Sequence, residues 1–159
     1  MAALHVTGVG AVVVFAVMQA HIFIEPKLTN TLDTHLLGWD KTTAMELFGD
    51  YGRHGREMYL SFNLVDMFLP LCYGPFLYLL LHKQGQPWPV CTIPLISGAL
   101  DICENISTRL LTHAYPELDT VHPYALRFGP IATVAKFGLL AISVLLVMVA
   151  SGPARAKRQ

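Results

Sequence analysis

Residues 128–150 read FGPIATVAKFGLLAISVLLVMVA, and Lys136 is the only charged residue among them. Because a helix of about 20 residues crosses the hydrocarbon core of a bilayer, this stretch predicts a transmembrane helix. Three more stretches of similar length and apolar character occupy residues 4–24, 59–81 and 90–111. The sequence therefore predicts an all-α integral membrane protein with four spans.

The composition of the chain fits the same environment. Of its 159 residues, 53% are hydrophobic and 14% are charged, whereas roughly 25% are charged in an ordinary soluble domain. Eleven basic and eleven acidic residues give no net charge, so the chain lacks the basic surface that nucleic-acid binding requires. The three cysteines are an odd number in or beside apolar stretches, which predicts small hydrophobic residues and no disulfide framework. We exclude a soluble globule and a nucleic-acid-binding protein.

The connections between spans predict the topology. Residues 82–89 and 112–127 are short and contain prolines, so neighbouring spans run antiparallel in one up-down-up-down domain. Residues 25–58 form the one long hydrophilic connection, and Thr43 and Glu46 within it are spaced as in a capping box. We therefore expect a short surface helix ending at Gly49, and a basic tail at residues 151–159.

The first span and the orientation follow from the flanking residues. No basic residue precedes residues 4–24 and no small-x-small site follows them, so we expect a retained span and not a cleaved signal peptide. Positive charges on the two sides are nearly balanced. The cluster of Arg155, Lys157 and Arg158 favours termini on the cytoplasmic or matrix side.

Four ionisable residues lie inside the predicted spans at one depth. An ionisable group there costs about 3 kcal/mol on insertion scales unless it is paired or solvated, and it usually marks function. Asp66, Asp101, Glu104 and Lys136 all fall about 10 to 15 Å below the membrane face that carries the long connection. The sequence therefore predicts that these side chains meet inside the bundle.

Polar residues on the second and third spans recur at steps of three and four residues, which places them on one helix face. The two stripes are Tyr59, Asn63, Asp66, Pro70 and Tyr73, and Ser97, Asp101, Glu104, Thr108 and Thr112 with Asn105 beside them. We predict a polar funnel open to the loop side, to which the first span adds Gln19 and His21. The predicted polar cluster is Gln19, Asn63, Asp66, Asp101, Glu104, Asn105 and Lys136.

Three carboxyls and one ammonium in a low-dielectric space cannot all stay ionised without partners, so we expect at least one protonated carboxyl at neutral pH. One interpretation is a structural link between helices. The alternatives are a ligand pocket and a path for protons or ions. The histidines and cysteines lack the spacing of a metal site and no cofactor motif occurs, so no metal or cofactor is expected. We interpret the aromatic residues in loops or near span ends as interfacial anchors, namely Trp39, Trp88, Tyr78, Tyr115 and Tyr124.

Residues 52–150 resemble a family of small four-helix membrane proteins. The resemblance rests on Gly55, Arg56, Tyr59, Asp66, Pro70, Tyr73 and Gly74, on the D-x-x-E-N element at residues 101–105, and on Tyr115, Pro116 and Lys136. It implies the four-helix fold and no particular activity. The architecture and the buried acids also resemble the EXPERA group of sterol isomerases and a sigma-2-type receptor. That resemblance implies acid/base roles for Asp66, Asp101 and Glu104, although the histidine and tryptophan arrangement of the isomerase is not recognisable here.

The preferred interpretation is a non-catalytic accessory subunit of a larger membrane complex. A respiratory or other energy-converting complex of an organelle inner membrane, such as the mitochondrial one, would be an example. The expected partners are the lipid bilayer and other membrane subunits. The alternatives are an EXPERA-like protein that binds or isomerises a lipid or sterol, and a proton or ion pathway.

Overall fold

A computed structural model describes residues 2–151 of the chain, and every regular secondary-structure element within this range is a helix. Four helical units are long and apolar enough to cross a membrane, namely Ala2–Ile24, Lys41–Lys83, Trp88–Ala114 and Pro123–Ala150. The all-α fold with four candidate spans that the sequence predicted is confirmed. Four such helices fit an integral multi-pass membrane protein.

The second and third units are each interrupted by a break. In chain order the helices are α1 (Ala2–Ile24), α2 (Lys41–Asp66), α3 (Leu69–Lys83), α4 (Trp88–Cys91), α5 (Ile93–Ala114) and α6 (Pro123–Ala150). Pro70 stands in the first turn of α3 and Pro94 in the first turn of α5. Proline lacks an N–H and is tolerated in the first turn, where that group has no helical acceptor, so each new helix begins one residue before its proline.

The short helix predicted in the first connection is the beginning of α2. Its N-cap is Asp40 and not Thr43, because the Asp40 carboxylate accepts a hydrogen bond of 2.8 Å from the Thr43 backbone N–H. The bonds from Thr43 also hold the pKa of Asp40 below its ordinary value. The helix ends at a kink at Gly52 and not at Gly49. Gly52 has φ 65° and ψ −173°, a conformation that glycine adopts readily because it has no Cβ. Beyond Gly52 the helix continues directly into the second span.

Only residues 25–40 of the predicted hydrophilic connection lie outside α-helices, and we call them the cap segment. The cap segment folds onto the bundle, and Leu28, Leu32 and Trp39 are buried in the core. Tyr51 of α2 fixes its path by donating a 2.6 Å hydrogen bond to the carbonyl of Asn30. The predicted funnel is therefore covered on the loop side, because the apolar side chains of this connection pack inward.

The four helical units differ in how many of their side chains are buried inside the protein. α5 packs against both α3 and α6 and carries most of the buried polar residues. α1 packs on α2 and α3, and Met18 is its one buried residue in the described part of the chain. Since lipid tails are as apolar as leucine, packing and interhelical hydrogen bonds must hold such helices together. The buried polar face of α5 is the place to look for those bonds.

Candidate functional site

The ammonium group of Lys136 is the centre of a buried site. Its side chain is only 6% exposed, and its Nζ donates to Asp101 Oδ1 at 2.6 Å and to Glu104 Oε2 at 2.9 Å. Asp101 and Glu104 lie three residues apart on α5, so they share the face that meets α6. Asp33 of the cap segment adds a third carboxylate, with Oδ2 3.9 Å from Nζ. We call Asp33, Asp101, Glu104 and Lys136 the charge cluster.

The other carboxylate oxygens of α5 have partners as well. Asp101 Oδ2 accepts a 3.0 Å hydrogen bond from the hydroxyl of Tyr73 on α3. Glu104 Oε1 accepts one of 3.1 Å from the hydroxyl of Thr133, whose oxygen in turn accepts a 3.1 Å bond from the Trp39 indole N–H. The charge cluster is thereby joined to α3, α6 and the cap segment.

The position of Trp39 depends on a glycine. A Cβ at position 129 would lie 2.7 Å from the indole ring, closer than a carbon contact allows. Gly129 on α6 therefore leaves the space through which Trp39 reaches Thr133. The sequence analysis assigned Trp39 to the membrane interface, and this was wrong: the ring is 6% exposed and its N–H is bonded inside the bundle.

Asp66 lies in a second network and makes no direct contact with Lys136. Its Oδ2 accepts a 3.1 Å hydrogen bond from the side-chain amide of Asn105. Asn63 donates to Asn105 Oδ1 at 2.8 Å and to the hydroxyl of Thr108 at 3.1 Å. These bonds connect α2 with α5 beside the charge cluster.

The structure thus brings together six of the seven residues in the predicted polar cluster, in two adjoining networks. The exception is Gln19, which is exposed on α1. His21, the other residue assigned to the polar half on the first span, bonds through Nδ1 to the carbonyl of Val17 on its own helix. Within residues 2–151, helix α1 therefore contributes no side chain to either network.

Sequence reasoning missed Asp33, Trp39 and Thr133. Asp33 and Trp39 belong to the cap segment, where no helical period indicates which side chains turn inward. Thr133 precedes Lys136 by three residues on the same helix, so its place beside the ammonium was available from spacing. Leu28 and Leu32, four residues apart in a hydrophilic stretch, were the signal that the cap segment packs inward.

Carboxyl groups outnumber cations at the site. Asp33, Asp101 and Glu104 surround the ammonium of Lys136, and Asp66 lies in the adjoining network, so the buried region within residues 2–151 carries a formal excess of negative charge when all four acids are ionised. An uncompensated charge in a low-dielectric interior is strongly unfavourable. The site can therefore hold its helices together through Lys136, and it can accept further positive charge or hydrogen-bond donors.

Within residues 2–151, no group of three or more His, Cys, Asp or Glu side chains is arranged to hold a metal ion. Comparison with family models, with curated proteins and with solved structures finds no match for this chain, so both family resemblances stay predictions.

Proposed function

We propose that this membrane protein is a non-catalytic accessory subunit of a larger membrane complex, and that the charge cluster binds its helices together. The observation that carries the proposal is the use of both carboxylate oxygens of Asp101 and of Glu104 in bonds to other elements. Carboxylates whose two oxygens are both bonded to other elements of the protein are suited to a structural role.

The two networks connect elements that lipid would not drive together. Lys136 links α6 to α5, Tyr73 links α3 to α5, Asn63 links α2 to α5, and Trp39 links the cap segment to α6. Hydrogen bonds between membrane helices are worth about 0.6 to 1.7 kcal/mol each. Several of these hydrogen bonds involve α5, which supports a role for α5 as the helix to which the other helices are bonded.

The apolar outer surface supports the role as a subunit. α1 exposes Val6, Val9 and Val12 by 62–70%, and α6 exposes Val149 by 80%. Surfaces of this kind face lipid or the helices of neighbouring subunits. A respiratory or other energy-converting complex of an organelle inner membrane is the assembly we propose to examine first.

Purification in a mild detergent tests the subunit role. The tagged full-length chain, extracted from its native membranes, is expected to co-migrate with a large complex on native gels and in gel filtration. Recovery as a stable monomer or dimer from freshly solubilised membranes would contradict the proposal. A second tagged membrane protein of similar size that is known to be monomeric serves as the control for detergent-induced association.

A groove on the outside of α6 favours lipid or sterol binding as a second candidate function. It has a volume of about 620 Å³, and Leu37, Trp39, Pro130, Ile131 and Val134 contribute to its lining. This volume lies within the range of ligand pockets, roughly 300 to 1,000 Å³. Trp39 forms a wall of the groove and is bonded through Thr133 to Glu104, so a ligand there would lie next to the charge cluster.

A substitution that fills the groove distinguishes lipid or sterol binding from a purely structural role. Ile131→Trp is expected to abolish saturable binding of a fluorescent sterol or fatty acid to the purified protein, whereas Ile142→Trp, on the exposed side of α6 outside the groove lining, is expected to leave it unchanged. Absence of saturable binding to the wild-type protein would eliminate the candidate.

A further inference from the structure

Two leucines of the cap segment point away from the core. Leu36 is 56% exposed and Leu37 is 97% exposed, whereas the other two leucines of the cap segment are buried. We call Leu36 and Leu37 the leucine pair. They belong to residues 34–39, which read THLLGW and contain no Asp, Glu, Lys or Arg. An uncharged stretch with adjacent exposed leucines calls for an apolar environment on its outer side.

Contacts with α6 fix the height of the leucine pair relative to the membrane. A Cβ at position 38 would lie 3.5 Å from Val134 Cγ2 and 3.6 Å from the Pro130 carbonyl oxygen. Pro130 and Val134 follow Arg127, the last charged residue before Lys136, by three and seven residues. At 1.5 Å per residue they lie about 5 and 10 Å farther along the helix than Arg127. The backbone beside the leucine pair is therefore level with the beginning of the apolar stretch of α6.

The outer surface at this height is continuous with the exposed side of a candidate membrane span. Ile131 is 63% exposed and Val134 is 44% exposed on α6. Leu37 lines the same groove as these two side chains. Since the exposed apolar residues of a span face lipid, the surface that Leu37 shares with them faces lipid as well.

The backbone of this stretch suits the outer part of a leaflet, where water is scarce and polar groups need internal partners. Four of its N–H groups donate to carbonyls of the cap segment at 2.8 to 3.1 Å. The bonds run from Thr34 to Thr31, from His35 to Leu32, from Leu36 to Thr34 and from Gly38 to His35. The headgroup region remains close enough to hydrate the other backbone groups.

We propose that the leucine pair inserts into the leaflet on the loop side, so that lipid contacts the outer side of the cap segment. The inner side is held by the bond from Trp39 to Thr133 and by Asp33, 3.9 Å from Lys136. Lipid and protein together then keep the cap segment over the charge cluster. This surface goes beyond the subunit role and does not depend on it, because it needs only the chain and a bilayer.

Spin labels measure the depth of the leucine pair in a bilayer. The three cysteines of the full-length protein are replaced by alanine, and a nitroxide is attached to Leu37→Cys in phosphatidylcholine vesicles. Dissolved oxygen, which partitions into lipid, and a water-soluble nickel chelate compete to relax the label. The label is expected about 5 to 10 Å below the lipid phosphates, as for other interfacial apolar side chains.

Two reference positions calibrate the measurement. Glu117→Cys, at an exposed residue of the loop side, is expected to be relaxed mainly by the nickel chelate. Ile142→Cys, at an exposed position of α6, is expected to be relaxed mainly by oxygen. Leu36→Cys repeats the measurement at the second leucine. Labels at positions 36 and 37 that both respond like the label at position 117 would place the leucine pair in water and overturn the proposal.

Photo-crosslinking provides a second measurement that keeps the native cysteines, in case the cysteine-free protein does not fold. The photoreactive residue p-benzoylphenylalanine in place of Leu37 is expected to form adducts with phospholipid on irradiation of the vesicles. The same residue in place of Glu117 is expected to form none. A yield of phospholipid adducts at position 37 no higher than at position 117 would also overturn the proposal.

Discussion

Replacing Lys136 by methionine removes the ammonium group at the centre of the charge cluster. Methionine is unbranched and fills a similar volume, so the change deletes the charge without opening a large cavity. It breaks the 2.6 Å bond to Asp101 and the 2.9 Å bond to Glu104. Both carboxyls then stay in the interior without their shared counter-charge.

The expected loss is large because the remaining carboxyls cannot leave the interior. Breaking a buried ion pair by removing one partner destabilises a protein by about 3 to 5 kcal/mol. The ion pair between Lys41 and Asp119 provides a matched control, since its side chains are 46% and 80% exposed. A solvent-exposed pair contributes about 0 to 1 kcal/mol, so Lys41→Met is expected to change the free energy of unfolding by no more than that.

Unfolding with sodium dodecyl sulfate in mixed micelles, followed by far-ultraviolet circular dichroism, measures these free energies. A triple variant that adds Asp101→Asn and Glu104→Gln to Lys136→Met removes the stranded charges as well, and it is expected to recover part of the loss. The reasoning would be refuted if Lys136→Met were no more destabilising than Lys41→Met. A triple variant less stable than Lys136→Met alone would refute it too.

Three further predictions concern the cap segment, the start of α2 and the membrane path. Gly129→Ala is expected to displace Trp39 and to lower the free energy of unfolding by about 1 to 3 kcal/mol; in a variant whose only tryptophan is Trp39, an unchanged emission maximum would contradict this. The folded-state pKa of Asp40 is lowered from its ordinary value of 3.8. The ionised carboxylate therefore stabilises the cap of α2 at a pH above 3.8, and this stabilisation is lost as the pH falls below that value. The protection factor of the Thr43 amide, corrected for the intrinsic pH dependence of hydrogen exchange, should therefore fall at low pH in the wild type but stay nearly constant in Asp40→Ala. Parallel pH profiles of the two protection factors would contradict the cap. In proteoliposomes, the wild type and Asp66→Asn are both expected to show proton flux at the background level of empty vesicles. A flux above background in the wild type that is abolished in Asp66→Asn would instead support the pathway alternative.

The membrane spans and the buried face of α5 were predictable, because the spans follow from the length of the apolar stretches and the face follows from periodicity. Apolar stretches of span length identify the helices, and steps of three and four residues place Asp101, Glu104 and Thr108 on one face. The depth of Lys136 followed from counting along an antiparallel helix. The break between α2 and α3 could also have been predicted from Pro70, but the length of the apolar stretch concealed it.

The path of the cap segment could not be predicted from the sequence, although Leu28 and Leu32 indicated that it packs inward. Its backbone turns at Gly38, which has φ 95°, and its short 3-10 turns carry no sustained period. Asp33 and Trp39 therefore gave no sign of reaching the charge cluster. Gln19 shows the opposite error: a single polar residue near the end of a span has no period to orient it, and the structure places it on the exposed side of α1.

Solid-state nuclear magnetic resonance in lipid bilayers can detect the Lys136 contacts themselves. With ¹⁵N-labelled lysine and ¹³C-labelled aspartate and glutamate, the Lys136 Nζ signal is identified by its loss in Lys136→Met. That signal is expected to show short-range dipolar coupling to the side-chain carboxyl carbons of Asp101 and Glu104, as the N–O distances of 2.6 and 2.9 Å require. A Lys136 Nζ that couples only to lipid or water would contradict the charge cluster and the account built on it.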